Sequence, residues 1–425
     1  MMAQTLPAAK ATNGEESFGA ASHERPVPRI SISAFCEFPD TGAALQRAAA
    51  DRRLAKAHVE VELGGVQAAM DHFNGQVTPN LLIVETKLQG KAAIEDIDRL
   101  SHVCDPATKV VVIGRANDVE LYRELLRRGV SEYLVAPLNP LHMIESIAAL
   151  YVDRETQPIG RVIAFASARG GAGSSTLAHN VGWYIAEKLK IHTTIIDFDL
   201  PFGTLSLDFN EEPTQTVAEA LAAPERLDDT LLDRLLLKIS DHLSLFTSPT
   251  MLERGYDADA TAYESVLDSV RQMSPCVIVD LPHVWTPWVR QTLLSADDIV
   301  IVAAPCLGSL RNGKAFFDML KPNRPNDAPP RLVLNQVGVP KRPEIPAKDF
   351  AQAMGVEPSL IVNFEPQLFG TSANHGQMVV QTQPKSPVGE GIARLAETLT
   401  GRTPQNSGNK GVLPFFSRLS GRKQA

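Results

Sequence analysis

One short run of small residues limits what this chain can fold into. Ala168-Arg169-Gly170-Gly171-Ala172-Gly173-Ser174-Ser175-Thr176 follows the apolar stretch RVIAFAS and opens the helical pattern LAHNVGWYIAEKL. Strand, glycine-rich loop and helix in that order is the context a phosphate-binding loop requires. Without a Cβ, glycine lets backbone N–H groups turn inward and approach phosphate oxygens closely. The first turn of the helix adds unpaired N–H groups and the positive end of its dipole. A Ser or Thr hydroxyl at the end of such a loop is placed to ligate Mg²⁺. A glycine-rich turn that merely joins strand to helix is the plainer alternative.

Carboxylates further along weigh against that alternative. The strand TTIID ends in Asp197-Phe198-Asp199, and CVIVD ends in Asp280. Acidic residues at the C-terminal ends of apolar parallel strands line the crevice where such sheets bind ligands. There they can position Mg²⁺ and an attacking water. One such Asp could be a helix N-cap, but three on two strands are harder to account for in that way.

The same half of the chain supplies further continuous apolar strands in DIVIVAAP, RLVLNQV and GVEPSLIVNF, then a last helix in GEGIARLAETLTG. Unbroken apolar strands belong to a parallel sheet covered on both faces. The first half repeats the alternation on a smaller scale. ISISAF, HVEVELG, NLLIVET, KVVVIG and EYLVAPL read as strands. TGAALQRAAADRRLA, VQAAMDHFN, DVELYRELLRRGV and LHMIESIAALYV read as helices between them. The expected class is α/β with two doubly wound domains. Residues 1–28 read as a disordered tail, 29–152 as the smaller domain, 153–160 as a polar Pro/Gly linker, 161–401 as the larger domain and 402–425 as a basic-apolar tail.

Composition excludes several classes. The net charge of −8 gives no footprint for a dominant nucleic-acid partner. Cys36, Cys104, Cys276 and Cys306 are widely spaced, so neither a zinc site nor a disulfide scaffold is indicated. The first residues lack the apolar core of a secretory signal, and no stretch of the length a membrane span needs is free of charge. A cytoplasmic protein is expected.

Taken together, these motifs resemble the deviant-Walker-A ATPases of the MinD/ParA superfamily, whose loop reads KGGxGKT and is followed by a strand ending in DxD. Asn335, in VLNQ, matches that superfamily's base-contacting Asn, and Ser372-Ala373-Asn374-His375-Gly376 matches its late SNxG element. The resemblance spans about 160–400. It implies ATP and Mg²⁺ as cofactors and a homodimer bridged by ATP. Arg169, Gly170, Gly171, Ala172, Gly173, Ser174, Ser175, Thr176 and Asn335 would bind the nucleotide. Ser175, Asp197 and Asp280 would hold Mg²⁺, and Asp199 would position the water. The family's first loop Lys, which reaches the partner subunit's phosphates, is Arg169 here, keeping the charge and gaining a bidentate fork. Its second, in GKT, is Ser174, so a full charge is missing where charge develops during phosphoryl transfer. The site is expected to bind ATP and to hydrolyse it weakly or not at all.

A receiver-like domain ahead of a MinD-like one resembles the CpaE/TadZ proteins of Tad (Flp) pilus assembly. The chemistry of a receiver is altered throughout: Glu85 stands at the phospho-acceptor Asp, Cys36 and Glu37 follow the first strand where the acidic pair belongs, and Ala136 precedes Pro137 in place of Lys. This argues against phosphorylation and for a docking or dimerisation module, with a plain flavodoxin-like domain as the alternative. The implied function is an assembly and localisation factor of a Tad-type pilus secretion machine, working at the inner face of the membrane or the cell pole with the pilus machinery as partner. An active ParA/MinD-like ATPase for DNA partitioning or cell positioning is the alternative. His283 and Trp285 fall where the superfamily has its second switch loop. Phe415, Phe416 and Leu419, with Arg418, Arg422 and Lys423, make the tail a candidate for membrane-surface or partner contact.

Overall fold

The computed structural model describes residues 27–151, 159–249 and 258–401. Most of the expected tails and linker, including Phe415 and its neighbours, lie outside the described residues. Two parallel sheets carry the fold. The first comprises β1 (Ser31–Cys36), β2 (His58–Leu63), β3 (Leu81–Glu85), β4 (Lys109–Gly114) and β5 (Glu132–Val135), in the order β2-β1-β3-β4-β5. That is the order of flavodoxin-like doubly wound domains. Alternation sorts its core into two layers. Leu81 and Ile83 face the helices Pro39–Ala49 and Pro140–Leu150, whereas Leu82 and Val84 face Gly65–His72, Gly90–Ser101 and Val119–Arg127.

The second sheet holds β6 (Arg161–Ser167), β7 (Thr193–Asp197), β8 (Leu237–Lys238), β9 (Leu243–Phe246), β10 (Cys276–Asp280), β11 (Asp298–Ala303), β12 (Arg331–Val337) and β13 (Leu360–Asn363). Their order is β13-β12-β11-β6-β10-β7-β9-β8, parallel except where β8 meets β9. The fold is therefore the expected α/β class. Val162 and Ala164 point into one core layer and Ile163 and Phe165 into the other. β6 lies between β10 and β11, strands that follow each other in sequence. The chain thus crosses over β6, and the crevice at that switch point opens at the C-terminal end of β6.

The helix expected over TGAALQRAAADRRLA stops at Ala49. Asp51 accepts the N–H of Arg53 and starts a separate 3₁₀ turn, Arg52–Leu54. This turn grips the second sheet. Arg52 bonds Asp297 at 2.9 Å and Asp327 at 2.8 Å, and Arg53 bonds Asp327 at 2.6 Å. Arg271 joins Asp297 and Arg324 joins Asp327, while Lys56 pairs with Asp268. All of these but Lys56 and Asp268 are nearly buried. Asp297 and Asp327 precede β11 and β12, and Asp51–Arg53 precede β2. The contact therefore joins the N-terminal edges of both sheets and leaves both C-terminal edges clear of it.

Candidate functional site

The glycine loop leaves β6 at its C-terminal end and runs into the helix Ser174–Glu187. Two positions require glycine. Gly171 has φ +76° and Gly173 φ +90°, conformations L side chains rarely adopt. At Gly173 a Cβ would also stand 2.4 Å from Asn335 Nδ2. The loop is tied down from outside by its carbonyls. Asn312 Nδ2 donates to Ala168 O at 2.9 Å, Asn335 Nδ2 to Ala172 O at 2.8 Å and Gln336 Nε2 to Gly171 O at 2.8 Å. His283 Nδ1 donates to Ser167 O at 3.0 Å. Among the described residues no hydrogen bond is donated by the N–H groups of Gly170, Gly171 or Gly173. With carbonyls engaged outward and amides left over, the loop is a concave donor set of the kind that takes an anion.

Asp197 and Asp280 stand side by side, in register on β7 and β10, and both are buried. Their surroundings differ. Asp197 Oδ1 accepts the N–H of Asp199, while Oδ2 accepts the N–H of Leu205 at 3.2 Å and the hydroxyl of Ser248 at 3.3 Å. It anchors the segment that follows its own strand. Asp280 Oδ1 is buried without a partner. Burial, and then the neighbouring Asp197 carboxylate, push its pKa up to about 7 against the opposing effects of His179 and a hydrogen bond from Ser175. An orphaned carboxylate oxygen with Ser175 beside it suits a divalent cation. Asp199 is half-buried, which raises its pKa, and it accepts the N–H of Phe202.

Ser174 Oγ is buried and unpartnered where a loop lysine would stand. Arg169 is exposed at the rim, its Nη1 3.4 Å from Cys306 Sγ. Burial opposes ionisation of that thiol, yet hydrogen bonds from Ser309 and the Arg169 guanidinium lower its pKa to about 7. Asn335 lies beneath the loop, its Oδ1 accepting the N–H of Gln336. The Ser372–Gly376 stretch ends the helix Pro366–Asn374, and its contacts run to Thr382 and Asn210. The structure thus gathers the loop, Asp197, Asp280 and Asn335 at one sheet edge. Sequence reasoning missed Asn312, Gln336 and Cys306, which reach the loop from distant elements. It also missed His179, a buried histidine on the loop helix, whose Nδ1 donates to Asp208 at 2.7 Å. Burial works against its charge, but Asp208, Asp280 and Asp197 outweigh it and raise its pKa.

Glu85, at the position where a receiver's acceptor Asp is expected, is engaged from within the first domain. Glu85 is fully buried; Oε2 accepts the N–H groups of Glu37 and Phe38 at 3.0 Å each, and Oε1 the hydroxyl of Thr41 at 2.8 Å. Arg115 lies 3.7 Å from Oε1.

No family model matches the chain. The pilus assembly protein CpaE from Caulobacter crescentus, a crystal structure, is 51% identical over 98% of its length and 30% of this chain, with a TM-score of 0.30. A ParA family ATPase from Chlorobium tepidum is 26% identical over 98% of its length and 56% of this chain, with a TM-score of 0.50. The septum site-determining protein MinD from Pyrococcus horikoshii, complexed with Mg-ADP, is 20% identical over 96% of its length and 57% of this chain, with a TM-score of 0.50. No helix among the described residues is long and apolar enough to cross a membrane.

Proposed function

Because this chain belongs to the CpaE-type pilus assembly proteins of the MinD/ParA superfamily, we propose that it is an ATP-binding assembly and localisation factor of a Tad (Flp)-type pilus secretion system. It acts as a nucleotide-dependent dimer switch with slow hydrolysis or none. One observation carries the reading. The site keeps a donor-lined glycine loop and an orphaned Asp280 oxygen, but has Ser174 where a competent loop needs a lysine.

In this reading the N–H groups of Gly170, Gly171 and Gly173 bind phosphate oxygens together with the helix N-terminus. ATP with Mg²⁺, when bound, would supply a polyanion that two subunits could share. Ser175 and Asp280 would hold the cation with Asp197 behind them, Asp199 would orient a water, and Arg169 would extend from the rim toward the partner subunit's phosphates. Asn335 supports the loop from the base side. Backbone dipoles suffice to hold a ground-state phosphate, whereas fast transfer needs a positioned charge at the γ-phosphate. The loop is therefore suited to binding more than to turnover. The first domain, with its acceptor position closed by Glu85, serves docking of pilus-machinery partners.

The test is nucleotide affinity, phosphate release and sedimentation on one purified sample. Saturable ATP–Mg²⁺ binding with ATP-dependent dimerisation and little phosphate release supports the proposal. Turnover in the range of competent P-loop enzymes, or salt-sensitive DNA binding, moves the reading to an active partition-type ATPase. No saturable binding up to millimolar ATP refutes it.

A further inference from the structure

One and a half turns into the loop helix, His179 is buried at 0% exposure with Nδ1 committed to Asp208. Its Nε2 has no partner and faces Asp280 Oδ2 at 3.8 Å. A buried ring nitrogen and a buried carboxylate oxygen, both unpaired in one small space, each carry a desolvation cost that a native fold rarely leaves uncompensated. The ring also joins three elements. Its own helix begins with Ser174 and Ser175, Asp208 closes the segment that starts at Asp197 and Asp199, and Asp280 ends β10. Phe209 packs at a tilt against the imidazole.

We propose that His179 is a positioning residue of the cation-binding half of this site. With a divalent cation held by Asp280, its other oxygen would link to His179 Nε2 through one water that donates to both. The imidazole, already bonded to Asp208, then fixes the 198–208 segment that carries Asp199. Outer-shell partners of this kind orient metal-ligating groups, and losing one costs about 10- to 100-fold in metal affinity. The inference rests on reading the loop as a nucleotide site, and it assigns to one side chain the link between cation binding and order in the neighbouring segment.

The experiment compares parent, His179→Ala, His179→Gln and Asp208→Asn. Affinity for a fluorescent ADP analogue is measured in EDTA and across a Mg²⁺ titration, with amide exchange followed over 198–208. In His179→Ala the Mg²⁺ midpoint should rise about 10- to 100-fold, affinity in EDTA should match the parent, and the Mg²⁺-induced protection of 198–208 should vanish. His179→Gln, which can still bridge two acceptors, should recover part of the shift. Asp208→Asn should keep the nucleotide affinity and lose the protection. If His179→Ala does not fold, the Gln and Asp208 variants decide the matter alone. A Mg²⁺ midpoint equal to the parent's, or a loss of affinity as large in EDTA as in Mg²⁺, overturns the inference and leaves the nucleotide reading standing. A parent that binds no nucleotide overturns both.

Discussion

Alanine at Gly173, Gly171 and Gly170 should be tolerated in a graded order that the backbone dictates. At Gly173 two costs combine. An L residue held at φ +90° pays the left-handed penalty, about 1–2 kcal/mol. The new Cβ, 2.4 Å from Asn335 Nδ2, also displaces the amide from Ala172 O, and a hydrogen bond of that kind is worth about 1 kcal/mol net. Together they amount to about 2–3 kcal/mol, roughly 30- to 150-fold in the equilibrium between closed and disrupted loop. At Gly171, φ is +76° but nothing lies within 4 Å of the added carbon, so only the backbone term of about 1–2 kcal/mol applies. Gly170 has ordinary φ, and its Cβ would meet His283 Cδ2 at 3.6 Å, normal van der Waals contact. Alanine there should be neutral or gain about 0.4–1 kcal/mol by stiffening the unfolded chain. Urea unfolding of the nucleotide-free variants, followed by the intrinsic fluorescence of Trp183 on the loop helix, measures the series. Gly173→Ala as stable as the parent, or Gly170→Ala the most damaging of the three, would refute this account of the loop.

Three further outcomes follow from named contacts. The ion cluster between the sheets sets Arg52, Arg53, Arg271 and Arg324 against Asp51, Asp297 and Asp327. Asp327→Ala, which leaves four guanidiniums facing two carboxylates, should cost about 3–5 kcal/mol. Arg52→Ala, which balances the count, should cost less in the same unfolding assay, and the reverse order would show that charge balance does not govern this contact. Incubation with acetyl phosphate and Mg²⁺ should add no mass at Glu85, whose oxygens already accept from Glu37, Phe38 and Thr41; a stoichiometric gain lost in Glu85→Ala would overturn that. Cys306 should alkylate selectively, with its rate rising through a midpoint near pH 7 as the thiolate forms, because burial pushes Cys36 and Cys276 up to about 12. Arg169→Ala should move the midpoint upward, since the guanidinium favours the charged form; a midpoint unmoved by that change, read by mass spectrometry, would sink the contact.

What was legible in the sequence was whatever burial imposes on consecutive residues. β6, β7, β10, β11 and β12 are covered on both faces, so each reads as a largely apolar run. β8 and β9 passed unread because Leu237–Lys238 is only two residues and LSLF is four, at the sheet's far edge between polar turns. The break at Ala49 was equally hidden. ADRRLA has helix-forming composition, and what interrupts it is tertiary: Asp51 caps a turn whose arginines are claimed by aspartates 245 to 275 residues away. Asn312 and Gln336 belong to the same class, since an amide that braces a loop carbonyl from another strand or helix leaves no local pattern. His179 did leave one. A histidine in LAHNVGWYIA, on a helix buried by Leu177, Ala178 and Val181, needs a partner for each ring nitrogen, and that demand was readable before any partner was known.

The two strand-end aspartates looked equivalent in sequence, and their partners separate them. Asp197 spends both oxygens on Asp199, Leu205 and Ser248, so it shapes the segment behind the site. Asp280 keeps an oxygen unspent, next to Ser175 on the loop helix. Of the positive groups a phosphate-transfer site would use, the loop lysine is Ser174, and the guanidinium of Arg169 rests on Cys306 at the rim. What remains aimed into the crevice is a set of backbone N–H dipoles, one available carboxylate and a hydroxyl. Dipoles and a cation recognise a phosphate already present, but a charge developing during phosphoryl transfer would find Ser174 where the loop lysine would meet it, with the loop's one cation, Arg169, turned to Cys306. The arrangement is thus matched to holding a phosphate group more than to transferring it, which is what the proposed slow turnover requires.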